Sequence, residues 1–555
     1  MKKSLLILFL LFGGISSYSL LAQSHNRMLG DPIDGSTDFR NFKNTFFFAD
    51  KLASFDPATG KGKINWKRST LYTRQAFEVN TIFPQDMKML DFPGAAYEQN
   101  PELSFHIDFV SPRTVRIRFL TTPVVPKPFD SPMLVGKLKK DNSWIYTRIP
   151  NGHLYSSTCA RLLIEKNLFR IILIDASGKR LTETWRWADN DSSQVKVLPF
   201  SFIKKGIDNS REINPVFSLL PNEKIFGCGE SFTKLDKRGQ IVNLFVTDPQ
   251  GSETPAMDKP IPYASGRSGW YEHNLYPFRY NQAVAEITKQ ITGDNIICAR
   301  SAWAGSQRYP LHWGGDTANK DIAMESELRG GLSFGLSGFL FRSHDIGGFV
   351  QSSPENLFRR WLPFGFLSSH SRAHGAPPKE PWLYNSGFVK AFRESAEMKY
   401  KLMPYVYAQA KQCTETGLPM VGALFIEYLD DPGAWNIKDA NLFGSDIYVA
   451  PLMENTVGRD VYLSGNQNWV DYQTGKNYPH GWNHIEAGEI PCIILVRNGA
   501  VIHSGALAQC TSDIDWHKIK LKVYGYAAKA EGHLCLPTDN QLIKLELTKK
   551  KNRID

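Results

Sequence analysis

Ile296-Ile297-Cys298-Ala299-Arg300-Ser301-Ala302 and, a short loop later, Leu311-His312-Trp313-Gly314-Gly315-Asp316-Thr317 each read as a short buried strand that finishes on polar residues. The second strand delivers a carboxylate beside a tryptophan and two glycines. These residue types suit a carbohydrate cleft. An indole offers a flat apolar face to the C–H side of a pyranose, and a guanidinium donates to hydroxyls in a fixed fork. A carboxyl held against apolar walls keeps its proton near neutral pH.

Two further strands are expected C-terminal to this pair, Ser337 to Asp345 and Phe364 to Ser371. Each carries its polar cluster at the C-terminal end, where a β/α barrel places its active-site loops. Helical periods separate or flank them, at Ala283 to Gln290 and along Phe388 to Ala410 through Phe392, Ala396, Tyr400, Met403 and Tyr407, with Pro404 kinking or restarting the second. The texture from Tyr263 to about residue 415 is therefore that of repeated β/α units.

Upstream, residues 36–262 show short alternating runs such as Thr114 to Phe119 and Phe169 to Ile174, punctuated by turns at Lys140-Asp141-Asn142 and Ala176 to Lys179. That pattern predicts an N-terminal β-sandwich. Downstream, Asp446 to Leu452 and Ile490 to Val496 predict a proximal C-terminal β-domain over 416–505, with 506–555 as the remnant of a distal β-region. The fold class is multidomain, β and α/β, as expected of 555 residues.

Composition excludes several function classes. Hydrophobic residues at 42% and charged residues at 22% are ordinary for globular domains and argue against disorder and against a polytopic membrane protein. The formal net charge of +10 is spread along the chain without a nucleic-acid motif, so it is read as a solubility feature with some attraction to acidic surfaces. Met1-Lys2-Lys3, the apolar run Leu5 to Phe12 and the small residues up to Ala22 have the order of a secretory signal peptide over 1–22. An exported protein, periplasmic or extracellular, with no membrane span after signal removal, is expected. The seven cysteines follow no metal-like spacing and are read mostly as small buried hydrophobes.

Four groups of residues, in order, resemble glycoside hydrolase family 31, particularly its α-xylosidase branch. They are Tyr263 to Arg267 with Tyr271 to Pro277; Arg300-Ser301-Ala302 with His312 to Asp316; Ser343-His344-Asp345-Ile346-Gly347-Gly348-Phe349; and Ser368 to Gly375. Phe226 to Glu230 and Lys237 to Gln240 are similar to the family's sandwich domain, and Met403-Pro404-Tyr405 and Tyr448 to Pro451 continue the resemblance. It implies a retaining hydrolase of α-glycosidic bonds that needs no cofactor and takes an oligosaccharide or small α-glycoside. It also implies Asp316 as acid/base, Arg300 and His374 as ligands of sugar hydroxyls, Trp313 as a wall of the sugar subsite, and Asp345 in support. Read without the family, Asp316 is a turn residue, Arg300 a structural ion pair and His374 an ordinary loop histidine. A metal site built on His312, His344 and His370 lacks any tight ligand spacing.

A retaining mechanism needs a second carboxylate about 5 to 5.5 Å from the first. The family's nucleophile segment, Lys-x-Asp-Phe-Gly-Glu, is not found; Asp91-Phe92-Pro93-Gly94 is the closest string and lies in the N-terminal β region. Met257 to Pro262, which resembles the exit from the sandwich, is followed directly by Tyr263. The expectation is a partial barrel over 263–415 holding units five to eight, with the nucleophile unknown. Glu272, Asp321, Glu325 and Asp345 are the other carboxylates at hand. The rival expectations are a non-catalytic carbohydrate-binding relic and an unstable product of an internally deleted gene.

Overall fold

A computed structural model describes residues 44–74, 79–83, 100–124, 134–136, 139–185, 199–240, 242, 246–247, 257–258, 269–525, 529–550 and 553–554. The expected signal segment 1–22, Asp91-Phe92-Pro93-Gly94 and Tyr263 to Arg267 lie outside them. The chain divides into two compact units at Glu223 and Lys224.

In the first unit, antiparallel pairing builds one sheet in the order Arg211–Asn214, Ser201–Lys204, Thr45–Asp56, Lys61–Arg74, Glu102–Ser111 and Thr114–Phe119, with Val79–Phe83 also on Lys61–Arg74. A second sheet runs Arg180–Glu183, Arg170–Asp175, Ala160–Glu165, Gly152–Ser156, Ile145–Ile149. Alternate residues turn inward: Leu103, Phe105 and Ile107 from one sheet meet Leu162, Ile164 and Ile171 from the other around Trp66, Phe169 and Phe202. Two antiparallel sheets sharing one apolar core form a sandwich.

Parallel pairing marks the second unit. Cys298–Ala299 pairs with Leu311–Trp313, which pairs with Phe341–Ser343, and Asp345 makes a parallel bridge to Arg372. Among the described residues Cys298–Ala299 has a strand on one side only. Helices Asp321–Gly335 and Glu355–Phe366 follow the second and third strands, as β/α units require. The strand expected over Phe364 to Ser371 does not form. Phe364 to Phe366 instead end the helix Glu355–Phe366, and the Leu367 N–H bonds back to the Pro363 carbonyl at 2.9 Å. Phe364 stacks on the His344 ring with centroids 4.5 Å apart, so the apolar run serves a helix face and leaves only Arg372 to bridge.

The long helical period divides as Ser386–Lys401 and Met403–Thr416. Asn385 caps the first by accepting the Phe388 N–H at 2.9 Å. Pro404 starts the second, where its missing N–H costs nothing, and Gly417 at φ 78° ends it. Beyond it lies an antiparallel sheet in the order Val421–Gly422, Asn441–Phe443, Ile447–Pro451, Cys492–Arg497, Trp469–Asp471, Asn477–Tyr478. Strand Cys492–Arg497 is covered on both faces: Ile493 and Leu495 join Trp361, Tyr448 and Trp469, whereas Ile494 and Val496 join Tyr405 and Phe443.

The segment Lys224 to Gln240, read from sequence as part of the sandwich, packs within the second unit. The Ser333 hydroxyl donates to the carbonyls of Gly227 (3.0 Å) and Gly229 (2.8 Å), and Arg329 Nε donates to the Phe232 carbonyl at 3.2 Å. Those backbone carbonyls find their donors on helix Asp321–Gly335, which fixes the segment there.

Candidate active site

Strand order places the ends of Cys298–Ala299 and Leu311–Trp313 side by side, so Arg300 and Asp316 leave adjacent strand mouths. Arg300 Nη1 donates to Asp316 Oδ1 at 3.0 Å. The guanidinium is largely buried at 9% exposure, and the carboxylate is 31% exposed. Gly315, at φ 81°, turns the chain between Trp313 and Asp316 in a conformation that favours glycine.

A second cluster stands beside this pair. Arg372 donates through Nε to Asp345 Oδ1 at 2.8 Å, and its guanidinium carbon lies 4.4 Å from the Trp313 ring centre. Asp345 is fully buried and its Oδ2 has no hydrogen-bond partner. Burial pushes its carboxyl above the usual range against the pull of Arg372, with His374 also lowering it and Asp316 raising it. His374 is exposed and rests against the Phe349 ring at 5.3 Å. The carboxyl walled from water is thus Asp345, whereas Asp316, expected against apolar walls, is part-exposed and ion-paired.

The expected residues therefore fall into two adjoining groups, Arg300 with Asp316, and Trp313 with Asp345 and His374. Arg372 joins Trp313 to Asp345 in the second. Arg372 was missed as a functional residue; its place within Ser371-Arg372-Ala373-His374 was the available signal. The loop that carries it is tied from beneath by Lys399, whose Nζ donates to the Ser368 carbonyl and, at 3.3 Å, to the Ser371 hydroxyl. Burial lowers that ammonium to about 7.

The three histidines pack separately against other side chains. His312 sits among Phe334 and Phe339, and burial lowers it to about 4. His344 stacks on Phe364, and burial first, then Arg342, hold it far below its ordinary value. His370 contacts Ser369 (3.0 Å) and Cys298 (3.6 Å) and is lowered to about 3 by burial and then by Lys399. Among the described residues no group of three or more His, Cys, Asp or Glu is arranged to hold a metal ion.

The remaining carboxylates are already engaged. Asp321 pairs with Arg360 at 2.6 Å, and Glu325 pairs with Arg329 at 2.5 Å and with Lys438 at 3.8 Å. The Glu272 side chain lies outside what the structure describes.

Comparison with known proteins adds independent findings. The sequence profile described as the glycosyl hydrolases family 31 TIM-barrel domain matches residues 184–409, and that of the glycosyl hydrolase family 31 C-terminal domain matches residues 417–502. An alpha-xylosidase of Emericella nidulans is 36% identical over 254 residues, covering 44% of this chain and 33% of that protein. The alpha-xylosidase XylQ of Lactiplantibacillus pentosus is 34% identical over 302 residues, covering 51% and 38%. The chain spans about a third of the length of the curated relatives it matches. Among solved structures, an uncharacterized protein of Listeria monocytogenes aligns at TM-score 0.71 and 12% identity over 91% of this chain and 70% of its own. That similarity concerns the fold alone.

Proposed function

The chain belongs to glycoside hydrolase family 31, and from that premise we propose that it acts on α-glycosidic bonds as an exported, α-xylosidase-type protein taking an oligosaccharide or small α-glycoside. Asp316 is the acid/base, Arg300 and His374 meet the sugar hydroxyls, and Trp313 walls the sugar, held by Arg372 and Asp345. The observation that carries this reading is the Arg300–Asp316 contact of 3.0 Å at neighbouring strand mouths. A guanidinium fork in that place is suited to grip a hydroxyl next to the glycosidic oxygen.

The barrel in this reading lacks its first half, and with it the nucleophile. Acid catalysis by Asp316 alone then supplies about 10²- to 10⁴-fold over the uncatalysed reaction. Release of xylose from an aryl α-xyloside by the purified chain tests it: slow release that disappears in Asp316→Asn is expected, and release unchanged in that variant removes the acid/base assignment.

The engagement of Asp321, Glu325 and Asp345 with arginines favours a second reading, a sugar-binding protein without turnover. Saturable xylose binding by calorimetry with no hydrolysis at all would select it.

A further inference from the structure

Beneath the Asp316 loop lies a buried trio of charges that the reading above does not use. Arg342, on strand Phe341–Ser343, donates to Glu230 Oε1 through Nε (2.9 Å) and Nη2 (2.6 Å), and to the Glu327 backbone carbonyl through Nη1 (2.9 Å). Its Nη2 also meets the Glu327 carboxylate. Glu327 is fully buried, and the Arg342 and Glu230 side chains are 7% and 9% exposed.

The trio touches the loop on both sides of Asp316. The Thr317 hydroxyl donates to Glu327 Oε1. A Cβ on Gly314 would run into the Arg342 guanidinium and stand 2.7 Å from Glu327 Oε2 and 2.9 Å from Glu230 Oε1, so the glycine backbone lies directly on the trio. Gly314 N–H donates to the Ser343 carbonyl at 3.0 Å, and the Thr317 carbonyl accepts from Phe349 N–H at 2.7 Å. Two residues flanking Asp316 are thus clamped to one charged cluster.

A buried ion cluster is weak evidence of a stabilising role. Buried ion networks replaced by apolar side chains of like volume are commonly as stable or more so, whereas a site residue must be held within about half an ångström by locked neighbours. We propose that Glu327 and Arg342, seated on Glu230, are positioning residues that act through Thr317 and Gly314 to fix the Asp316 carboxyl and the Trp313 ring; this rests on the family 31 reading of those two residues.

Two carboxylates share one guanidinium here, so the buried trio resists its second negative charge. Burial raises the Glu327 carboxyl to about 7, with Arg342 lowering it, Glu230 raising it and Thr317 lowering it. The remaining titratable group lining the small cavity beside Glu327 and Arg342 is His344, kept neutral by burial. Above that pH the Thr317 hydroxyl donates to a carboxylate, below it to a carboxylic acid, and the charged acceptor holds it more tightly.

The test follows the amide resonances of Gly314, Gly315 and Asp316 by NMR from acidic to alkaline pH in the full chain, with Glu327→Gln and Thr317→Val beside the wild type. The expected wild-type result is a common titration of those amides near neutrality, absent in Glu327→Gln and, in Thr317→Val, kept at Gly314 but weakened at Asp316, while melting stays cooperative in both. Xylose affinity by calorimetry should rise about fivefold from the acidic to the alkaline side of the same titration in the wild type and stay flat in Glu327→Gln, as for exchange of a neutral for a charged acceptor. Loop amides that do not titrate in the wild type, or that titrate in Glu327→Gln as they do in the wild type, overturn the proposal. A loop that titrates as expected but binds no xylose supports the positioning role and removes the sugar-site reading instead.

Discussion

Arg372 lies over Trp313, its guanidinium carbon 4.4 Å from the indole ring centre, while the same guanidinium neutralises Asp345 at 2.8 Å. One side chain therefore sets the tilt of the Trp313 ring and compensates a carboxyl with no exposure of its own. Removing it leaves a buried charge unpaired. Arg372→Ala should cost about 2–3 kcal/mol, the low end for breaking a buried pair because the arginine is a third exposed. Adding Asp345→Asn should restore most of that loss, since the neutral amide no longer needs a cation. Urea denaturation of the single and double variants measures both; equal destabilisation in the two would refute the compensation.

Gly314 gives a second expectation. A methyl group there meets the Arg342 guanidinium and both carboxylates of the buried trio. Gly314→Ala should lower stability by about 1–3 kcal/mol, as overpacking does. Gly293, around which a Cβ would find open space, is the comparison for the clash, although its φ of 91° adds backbone strain of its own. The comparison is made on the strength of Glu327 titration, which should move only in Gly314→Ala.

Acid should loosen the second unit. His312, lowered to about 4, and His370, lowered to about 3, are neutral in the fold and take up protons once unfolded. A depressed folded value means that their contribution is whole above about pH 6.5 and is lost as pH falls through 4 to 3. Glu327 has the opposite sign: raised to about 7, it favours the fold most at low pH and loses that contribution as pH rises from about 4.5 to 7. In denaturation midpoints measured against pH, His312→Phe should therefore flatten the acid limb alone. An acid limb unchanged in that variant would show that His312 does not contribute to it.

Helix Gly269–Thr292 carries Tyr280, Val284, Ile287 and Ile291 on one exposed face, with Ile291 78% exposed. Spacings of four, three and four residues make this a continuous apolar stripe, and the strand Cys298–Ala299 separately has an outer edge unpaired among the described residues. Such an edge and stripe promote self-association. Ile287→Lys with Ile291→Glu should reduce light scattering on concentration and change stability by no more than about 0.5 kcal/mol each. Scattering that does not fall would mean the stripe is not the adhesive surface.

Much of this architecture was readable from local pattern. Cys298–Ala299, Leu311–Trp313 and Phe341–Ser343 lie inside the three apolar runs expected to be strands, and Pro404 restarts the helical period at Leu402. Phe364 to Leu367 misled because a short apolar run fits a strand and the buried face of a helix equally well, and only contact with His344 decides between them. At the site, the types and order of Arg300, Trp313, Asp316 and His374 were legible because each sits at a strand end or in a polar loop. The burial of Asp345 in place of Asp316 was not, since it depends on Arg372 crossing from a different segment. The trio of Glu230, Glu327 and Arg342 was equally hidden: its members come from a loop, a helix and a strand, and no periodicity links charges 112 positions apart.

We propose that no carboxylate of this chain serves Asp316 as partner nucleophile, and a deactivated fluoroxylosyl fluoride tests this most directly, because a retaining enzyme traps that reagent as a stable ester on its nucleophile. Intact-mass spectrometry after incubation should show the unmodified chain. A single added fluoroxylosyl group, mapped to an aspartate or glutamate, would contradict the account.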